Sequence, residues 1–552
     1  MLHVCFFYAA VTLLLACKKN SNNNSTPPGH PFFSLVSQSI NGVSGNSYHG
    51  INTIPLIKFS FSAPLDRNSV ASSISFQTGS GVSTAFNASF DNNDSSVVVR
   101  PGSPLNFIAK YVVTVSTALQ STQSGSLQSA VSVTFATAID SSDKFPAISD
   151  DSLLTLVQQQ TFKYFWDFGH PVSGMARERN SSGETVTTGG TGFGIMAIPV
   201  AINRNFISRA DGSARVQKIV GFLQNSAQHF HGAFSHWMNG TTGAVVPFAP
   251  NDDGADIVET SYMMMGLLTA RQYFNDASPE ETSLRDKIDT LWNNVEWDWF
   301  RQNGKSVLYW NWSPNFNWAV NVPVQGWNET LITYVLAASS TTHGIPKAVY
   351  DSGFARNGAM KNGSSYYGYV LPLGDSYGGP LFFEHYSFLG IDPNGLSDTY
   401  ANYQVQTVNH TKINFEYCKA NPKSHYGYSD ICWGLTASDI QNGYTASSPT
   451  NDVGVIAPTA AISSLPYATT ESMQALRFFY YKLGDKIWGQ YGFSDAFSLS
   501  DCWFADSYLA IDQGPAIVMI ENYRTGLVWN LFTSCPEVKA GLLSLGFSAP
   551  YL

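Results

Sequence analysis

Hydrophobic and polar residues follow two different patterns along this chain, and the first pattern is that of β-strands. From residue 32 to residue 140, short runs of β-branched and aromatic residues lie at 54–62, 96–101 and 110–116, separated by Gly, Ser, Asn and Pro. Runs of this length between turn residues are typical of strands. The segment 32–140 is therefore predicted to form a small all-β sandwich.

The second pattern is helical and begins after a short polar segment at 141–150, which is predicted to be a linker. From residue 151 to residue 552, apolar positions recur at the spacing of an α-helix, for example at 151–168, 256–274 and 328–339. Long loops rich in Gly and Pro separate these helices. Because no strands alternate with them, the pattern predicts an all-α toroid rather than a TIM barrel.

The composition narrows the classes of function. The 552 residues exceed what one hydrophobic core usually serves, so at least two domains are expected. Charged residues make up 13% of the chain and aromatic residues 14%, which argues against disorder. A net charge of −10 repels phosphate backbones, so nucleic acid is not an expected partner. Aromatic side chains can instead stack on sugar rings or pack in the core.

The N-terminus has the pattern of a targeting segment. Residues 4–16 are apolar, too short to span a bilayer, and end in Leu14-Leu15-Ala16-Cys17, which resembles a bacterial lipobox. Residues 1–17 are thus expected to be a lipoprotein signal peptide with Cys17 as the lipidated residue, and 18–31 a flexible tether. We expect an exported protein with a lipid anchor in the membrane of a Gram-negative-type bacterium, either periplasmic or at the cell surface.

Cysteine and histidine spacing predicts no metal site. Four cysteines follow the targeting segment: Cys418, Cys432, Cys502 and Cys535. Cys418 and Cys432 have two alternatives, a small disulfide-closed loop or buried free thiols. His229, His231 and His236 lie close together without the spacing of a helical zinc motif, so hydrogen bonding to loops or substrate is the favoured role.

Six ordered strings carry a family resemblance. They lie at 188–198, 255–268, 326–330, 433–439, 454–468 and 511–529. Together they resemble the bacterial glucoamylase-like proteins grouped as glycoside hydrolase family 144. The resemblance implies an (α/α)6 barrel over residues 151–552 and hydrolysis of β-1,2-glucan without a cofactor. Residues 32–140 resemble the bacterial Ig-like domains that precede exported glycosidases, and a spacer role is favoured over weak glycan binding.

Four acidic residues fit the mouth of such a barrel, where the N-terminal ends of the inner helices converge. Asp256 and Glu259 are three residues apart on one helix face. Glu329 and Asp512 each lie near the start of an apolar helix. Capping of the helix N-termini is the alternative role for any one of them.

Glycoside hydrolysis requires one protonated and one ionised carboxyl. Glu329, next to Trp327 and after a Trp-rich loop, is expected to be the general acid because apolar walls keep a carboxyl protonated. Asp512, in a polar Asp-Gln-Gly segment, is expected to be the ionised base. Asp256 and Glu259 would bind substrate hydroxyls or tune this pair. Inverting chemistry is favoured, with a water molecule between the carboxyls.

Further residues are candidates for substrate binding. Arg177 is expected either to hold sugar hydroxyls or to form a structural ion pair. Aromatic stacking on sugars is expected from Trp310, Trp312 and Trp327, each with core packing as the alternative. Glu384 and His385 lie in an aromatic segment that is predicted to line a glycan cleft.

The sequence therefore predicts a lipid-anchored, two-domain glycoside hydrolase acting on β-1,2-glucan, with endo cleavage favoured. Exo release of sophorose and hydrolysis of another β-glucan are the enzymatic alternatives. The alternative from another class is a non-catalytic lipoprotein that captures glycan for components of an uptake system. The presence of both Glu329 and Asp512 favours the enzyme, because a binding protein needs no matched acid and base.

Overall fold

The structure is a computed structural model that describes residues Phe33–Leu552. The predicted signal peptide at 1–17, its lipidation site Cys17 and the tether at 18–31 lie outside the described residues. Within the described part of the chain, no helix is long and apolar enough to cross a bilayer.

The described residues form two compact units. The first contains residues up to Tyr48, Asn52–Leu105 and Tyr111–Phe135, and the second contains His49–Ile51, Asn106–Lys110 and Ala136–Leu552. Each unit is described by itself below.

The N-terminal unit is built from two antiparallel sheets. The strands are β1 (Leu35–Ile40), β2 (Val43–Ser44), β3 (Ser47–Ile51), β4 (Ile57–Phe61), β5 (Ile74–Thr78), β6 (Phe86–Asp91), β7 (Ser96–Pro101), β8 (Lys110–Val115) and β9 (Val131–Thr137), with one short helix, α1 (Arg67–Ser73). One sheet has the order β2-β1-β4-β7-β6 and the other the order β3-β9-β8-β5.

Strand β4 shows why this segment folds as a sandwich. Ile57, Phe59 and Phe61 are buried, whereas the residues between them are more exposed. Ile57 pairs with Val99 and Phe59 pairs with Val97 of β7, so the apolar side chains of both strands face the core. The predicted β-pattern is confirmed here as an Ig-like unit of β-sheets.

The second unit is dominated by helices. They are α2 (Asp150–Trp166), α3 (Thr188–Asn203), α4 (Arg209–Asn225), α5 (Ile257–Tyr273), α6 (Pro279–Asn293), α7 (Leu331–Ser339), α8 (Lys347–Val349), α9 (Tyr403–Ala420), α10 (Pro458–Ile462), α11 (Thr469–Arg477), α12 (Leu483–Ile487), α13 (Ala510–Thr525), α14 (Leu527–Thr533) and α15 (Pro536–Leu545). Short 3-10 helices lie at 297–301, 356–358, 376–378, 381–384 and 387–389, and π-helical turns at 350–354 and 478–482.

Short strands decorate the loops between these helices. They are β10 (Thr185–Thr187), β11 (Trp237–Asn239), β12 (Val245–Val246), β13 (Ala255–Asp256), β14 (Leu308–Tyr309), β15 (Asn311–Trp312), β16 (Pro323–Val324), β17 (Ser365–Tyr366), β18 (Tyr369–Val370), β19 (Ala437–Ile440), β20 (Gly443–Ala446), β21 (Trp488–Gly489), β22 (Gly492–Phe493), β23 (Phe497–Ser498) and β24 (Trp503–Phe504). Two of them, β10 and β13, immediately precede α3 and α5.

Helices α3, α5 and α13 form the centre of the helical unit. Nearly every side chain of α3 and α5 is buried, which matches helices that are apolar on all sides. Helix α3 packs against both α5 and α13, and α5 also packs against α7. Burying each large apolar side chain contributes about 1.5–3 kcal/mol. The amphipathic helices α4 and α6 pack around this centre and expose their polar faces.

Helices α3 and α5 touch through their backbones. A Cβ atom added at Gly192 would lie 2.2 Å from the carbonyl oxygen of Tyr262, and one added at Gly266 would lie 2.2 Å from the carbonyl oxygen of Gly192. No side chain fits at either position. The close contact requires glycine on both helices and fixes the distance between them.

The cysteines of this unit are free thiols in the structure. Cys418, Cys432 and Cys535 are buried, and Cys502 is half-buried. This arrangement corresponds to the buried-thiol alternative for Cys418 and Cys432. Burial raises the pKa of both thiols, which makes them poor nucleophiles.

Candidate active site

One large cavity lies where the N-terminal ends of α3, α5, α7 and α13 meet. Its volume is about 530 Å³. The lining side chains are Glu178, Arg179, Thr187, His236, Trp237, Phe248, Glu259, Tyr262, Trp310, Glu329, Phe382, Tyr386, Ala437, Tyr444, Ala446, Leu509 and Ile511. Aromatic side chains therefore form much of its wall, and three carboxyl groups, Glu178, Glu259 and Glu329, are among its polar groups.

Asp256 is buried beneath the cavity wall, at the N-cap of α5. Its Oδ1 accepts hydrogen bonds from the backbone amides of Val258 (3.0 Å) and Glu259 (2.9 Å), which caps α5. Its Oδ2 faces Nδ1 of His236 at 2.9 Å and accepts from the Trp310 indole at 3.1 Å. Asp256 is fully buried and does not line the cavity, so the structure gives it the capping role instead of the expected contact with substrate.

Glu259 presents its carboxyl to the cavity. Its Oε2 accepts a hydrogen bond from the amide of Gly189 at 2.6 Å, and its Oε1 lies 3.9 Å from Nε2 of His236. The imidazole of His236 stacks on Phe248 with ring centroids 3.9 Å apart. Although burial alone would lower it, the pKa of His236 is raised to about 9 by Glu259 and Asp256. A protonated histidine therefore lies between the two carboxyl groups at neutral pH.

Glu329 lies directly before α7, and its side chain lines the aromatic cavity. Removal from water raises the pKa of this carboxyl to about 7, with a further contribution from the charges of Glu259 and Asp256. A hydrogen bond from its own backbone amide acts in the opposite direction. About half of the Glu329 side chains thus carry a proton near neutral pH, as a general acid requires.

Asp512 lies in the first turn of α13, behind the wall of the large cavity, in a small adjoining pocket. It is only 5% exposed, and its carboxyl hydrogen-bonds with that of Asp495. Burial and the neighbouring Asp495 raise the pKa of Asp512 well above its ordinary value. The expectation of an ionised Asp512 in a polar loop is therefore corrected: the chain buries it against a second carboxyl.

The Asp495–Asp512 pair belongs to a larger polar network. Asp495 Oδ2 accepts from the amide of Asp439 at 2.6 Å, and Asp439 pairs with Arg179 at 3.1 Å. Burial raises the pKa of Asp495 to about 7. Asp495 Oδ1 and Asp512 Oδ2 are buried and have no hydrogen-bond partner among the other described residues. Two neighbouring buried carboxyls take up and release protons as one pair.

A second cavity adjoins the first on the side of Arg179. Its volume is about 460 Å³, and it is lined by Arg179, Asp439, Ile440, Gln441, Gly443, Tyr444, Trp503, Phe504, Ala505, Asp506 and Ser507. Arg179 and Tyr444 line both cavities. The hairpin formed by β19 and β20, which carries Tyr444, thus contributes to the walls of both cavities.

Several residues expected to bind substrate are placed elsewhere. Glu384, His385 and Trp327 are buried and line neither cavity, because they pack under the wall in a hydrogen-bonded network. Arg177 donates to the backbone carbonyls of Phe168 and Gly183, so its role in the structure is to hold a loop.

The tryptophans of the loop after residue 308 separate. Trp310 lines the large cavity, whereas Trp312 packs beside His231 and Trp299 outside it. The chain bends at Trp310 between two short strands, which turns the two rings away from each other.

The sequence alone assigned no role to Asp439, Asp495, Tyr262, Tyr386 or Tyr444, and Arg179 was considered only together with Arg177 as a possible ligand of sugar hydroxyls. Two of them, Asp439 and Tyr262, lie inside the strings that carry the family resemblance, and this was the available signal. Within Phe33–Leu552, no three His, Cys, Asp or Glu side chains are grouped in a way that could hold a metal ion.

Comparison with known proteins follows the same division of the chain. Residues 321–536 match the Glycoamylase family model, and residues 41–137 match that of a bacterial Ig-like domain. A solved glucoamylase-like protein from Bacteroides uniformis is 56% identical, and the match covers 74% of this chain and all of that one, with a TM-score of 0.73. A solved endo-β-1,2-glucanase from Chitinophaga pinensis is 53% identical with the same coverage and a TM-score of 0.72.

A curated relative is the exo β-1,2-glucooligosaccharide sophorohydrolase of Parabacteroides distasonis. It is 46% identical over 417 residues, which is 72% of this chain. The chain spans 58% of the length of that relative.

The fold and the site define a class of protein, a helical carbohydrate-active domain that follows an Ig-like unit. Identity above 50% over complete solved relatives makes the assignment more precise. The chain belongs to the bacterial glucoamylase-like family, glycoside hydrolase family 144, as its six sequence motifs indicated.

Proposed function

We propose that this chain is a glycoside hydrolase that cleaves β-1,2-glucan without a cofactor. The observation that carries the proposal is Glu329, a carboxyl whose pKa is raised to about 7 in an aromatic cavity that also contains the carboxyl of Glu259. Aromatic walls suit the apolar faces of sugar rings. The relatives named above act on β-1,2-linked glucans, which supports the choice of linkage.

We further propose that the helical domain is an (α/α)6 barrel. The inner elements in chain order would be α3, α5, α7, the segment 381–389, α10 and α13. Helix α13 packs against α3, α10 and the 3-10 helix at 387–389, and α3 packs against α5, so these contacts support a closed ring. An outer helix precedes each inner element along the chain. The large cavity lies at the N-terminal ends of the inner helices, where such a barrel gathers side chains.

Glu329 is the proposed general acid, which protonates the glycosidic oxygen of the leaving sugar. It combines a raised pKa, a place in the cavity wall and Tyr262 as an aromatic neighbour. Donation of a proton by such a group contributes about 10²–10⁴-fold to the rate.

Asp512 is the proposed base, acting in the state in which the Asp495–Asp512 pair has lost a proton. The pair lies close to Tyr386, whose pKa is raised by burial and by the nearby Asp512, and to Tyr444 of the β19–β20 hairpin. Inversion is the proposed stereochemical course, in which a water molecule lies between the acid and the base. Glu259 is the second candidate, because it lines the large cavity directly.

Endo cleavage is the favoured mode of action. The two cavities, of about 530 and 460 Å³, share Arg179 and Tyr444 in their walls. Adjoining cavities of this kind suit sugar units within a chain. An exo enzyme instead requires a wall that stops the chain end.

The anchor is a separate proposal that rests on the sequence of residues 1–31. We propose that Cys17 is lipidated and that the protein is exported, with its glycan supplied to components of an uptake system. Metabolic labelling with a palmitate analogue tests it, with Cys17→Ala as the control. Equal labelling of both proteins, or of neither, would contradict the anchor.

The activity is tested by chromatography of products over time. The protein without its first 30 residues is incubated with linear β-1,2-glucan, and with β-1,3- and β-1,4-glucans as controls. Mixed β-1,2-oligomers are expected, whereas sophorose alone would indicate exo action. Binding without any product, unchanged in Glu329→Gln, would support the non-catalytic glycan-binding alternative.

The two candidate bases are separated by a substrate that does not need an acid. In a dinitrophenyl sophoroside, the dinitrophenolate leaves without being protonated. Glu329→Gln is therefore expected to retain activity on this substrate. Loss of the true base lowers cleavage of both this substrate and glucan. Asp512→Asn is expected to lose both, and Glu259→Gln to keep the larger share. The opposite result would assign the base to Glu259.

A further inference from the structure

A buried polar network lies beneath the turn that carries Glu329. Its centre is Oε1 of Glu384, which accepts a hydrogen bond from the Trp327 indole at 2.9 Å and from the Gln406 amide at 2.8 Å. Nδ1 of His410 lies 2.8 Å from the same oxygen. The side chains of Glu384 and His410 are both fully buried, and no part of this network lines either cavity.

The hydrogen bonds of His410 determine how many protons this contact holds. Its Nε2 lies 3.0 Å from the carbonyl oxygen of Gly379, which can only accept, so Nε2 carries a proton. The contact between Nδ1 and Glu384 then needs one proton more, whether it resides on the histidine or on the glutamate. Burying such a pair costs free energy unless both partners are well hydrogen-bonded, and removing one partner strongly destabilises a protein.

The same segment also contacts the Glu329 turn from its other end. The hydroxyl of Ser387 donates to the backbone carbonyl of Glu329 and accepts from the amide of Ile332 at 3.0 Å. Trp327 precedes Glu329 by two residues, and its indole is bound by Glu384. Residues 384–387 therefore hold the turn before Glu329 through a side chain and the turn after it through the backbone.

We propose that Glu384 is a positioning residue for the general acid: it binds the Trp327 indole and thereby keeps the Glu329 carboxyl against the aromatic wall of the cavity. This inference rests on the proposed role of Glu329. Glu384 itself contacts neither cavity, so its effect is transmitted through Trp327. The alternative is that the network only stabilises the fold and does not influence the orientation of the acid.

Two substitutions test the contact. Trp327→Phe keeps an aromatic ring but deletes the indole N–H and so removes the contact, and Glu384→Gln keeps the shape but replaces the carboxyl with an amide, a weaker acceptor that cannot share a proton with His410. The matched control is Trp433→Phe, because Trp433 is a fully buried tryptophan whose indole donates to the backbone carbonyl of Glu471 at 3.2 Å. Each variant is first compared with the unchanged protein by its melting temperature.

The assay measures kcat and KM on β-1,2-glucan and on the dinitrophenyl sophoroside. In Trp327→Phe and Glu384→Gln, kcat on glucan is expected to fall about 10- to 100-fold, within the contribution of general acid catalysis. KM is expected to change less than about twofold, and kcat on the dinitrophenyl substrate to stay near that of the unchanged protein. Trp433→Phe is expected to lower the melting temperature but to leave the ratio of kcat on the two substrates unchanged.

The outcomes separate this inference from the function on which it rests. Equal losses on both substrates would make the network purely structural, and full activity of Trp327→Phe on glucan would also overturn the positioning role. If Glu329→Gln cleaves glucan normally, the proposed acid fails, and Glu384 has nothing to position. If Glu384→Gln does not fold, Trp327→Phe decides alone, because it leaves the Glu384–His410 contact in place.

Discussion

The pH dependence of glucan cleavage follows most directly from the burial of Glu329. With its pKa raised to about 7, half of the Glu329 side chains are protonated at pH 7 and roughly one in eleven at pH 8. With the ordinary value of 4.5, only about one in 300 would be protonated at pH 7. Burial therefore increases the population of the active acid at neutral pH by roughly 150-fold.

The measurement is kcat/KM on β-1,2-glucan between pH 4.5 and pH 9, which reports the groups of the free enzyme. We expect activity to fall tenfold per pH unit on the basic side, with a midpoint near 7. On the acidic side, activity is expected to fall as the Asp495–Asp512 pair takes up its second proton, which gives a narrow bell.

The control is Glu329→Gln, whose small residual activity should lack the basic limb because the amide does not titrate. A midpoint below pH 6 in the unchanged protein, or the same basic limb in Glu329→Gln, would refute the reasoning. The second result would mean that another group donates the proton.

Three further predictions concern the same groups. Because the pKa of Glu329 is raised, the contribution of this residue to folding stability is fully present below pH 4.5 and is lost as pH rises through 7. Glu329→Gln is therefore expected to be more stable than the unchanged protein at pH 8, by up to about 3 kcal/mol, and equally stable at pH 4.5. Urea unfolding at the two pH values measures the difference. Asp495→Asn removes the charge that helps raise the pKa of Asp512, so the acidic limb of the pH profile should move to lower pH; an unchanged limb would exclude this pair as its source. His236→Asn is expected to cost about 3 kcal/mol near pH 6, because Asp256 loses its charged partner. Since the pKa of His236 is raised from 6.5 to about 9, the cost should shrink as pH rises above 6.5 and be small beyond pH 9; a constant cost in urea unfolding would show that packing dominates.

The sequence was sufficient to locate the helices that carry the site. Their apolar residues recur at helical spacing, and Asp256, Glu259 and Glu329 lie at or before the starts of α5 and α7. These are local features, so one stretch of chain contains the information. The raised pKa of Glu329 also agrees with its tryptophan-rich neighbourhood, although the wall that surrounds it comes from other segments.

The ionisation of Asp512 and the burial of Glu384 could not be read in the same way. Asp512 is paired with Asp495, which is 17 residues away and reaches it only because the preceding loop folds back over α13. Glu384 lies among aromatic residues typical of a glycan cleft, but its partners Gln406 and His410 come from the following helix. Burial depends on the packing of distant segments, which the spacing within one segment does not report.

The glycine contact between α3 and α5 has a consequence for variation in this protein. Gly189, at the start of α3, donates its amide to Glu259, at the start of α5, so the spacing set by Gly192 and Gly266 deeper in the helices also sets the place of a carboxyl in the cavity. A single methyl group at Gly192 would push α3 and α5 apart, although this position does not line the cavity. Mutant libraries that vary only the residues lining the cavity would miss such positions. We expect the residues of the cavity wall to tolerate substitution better than these two glycines.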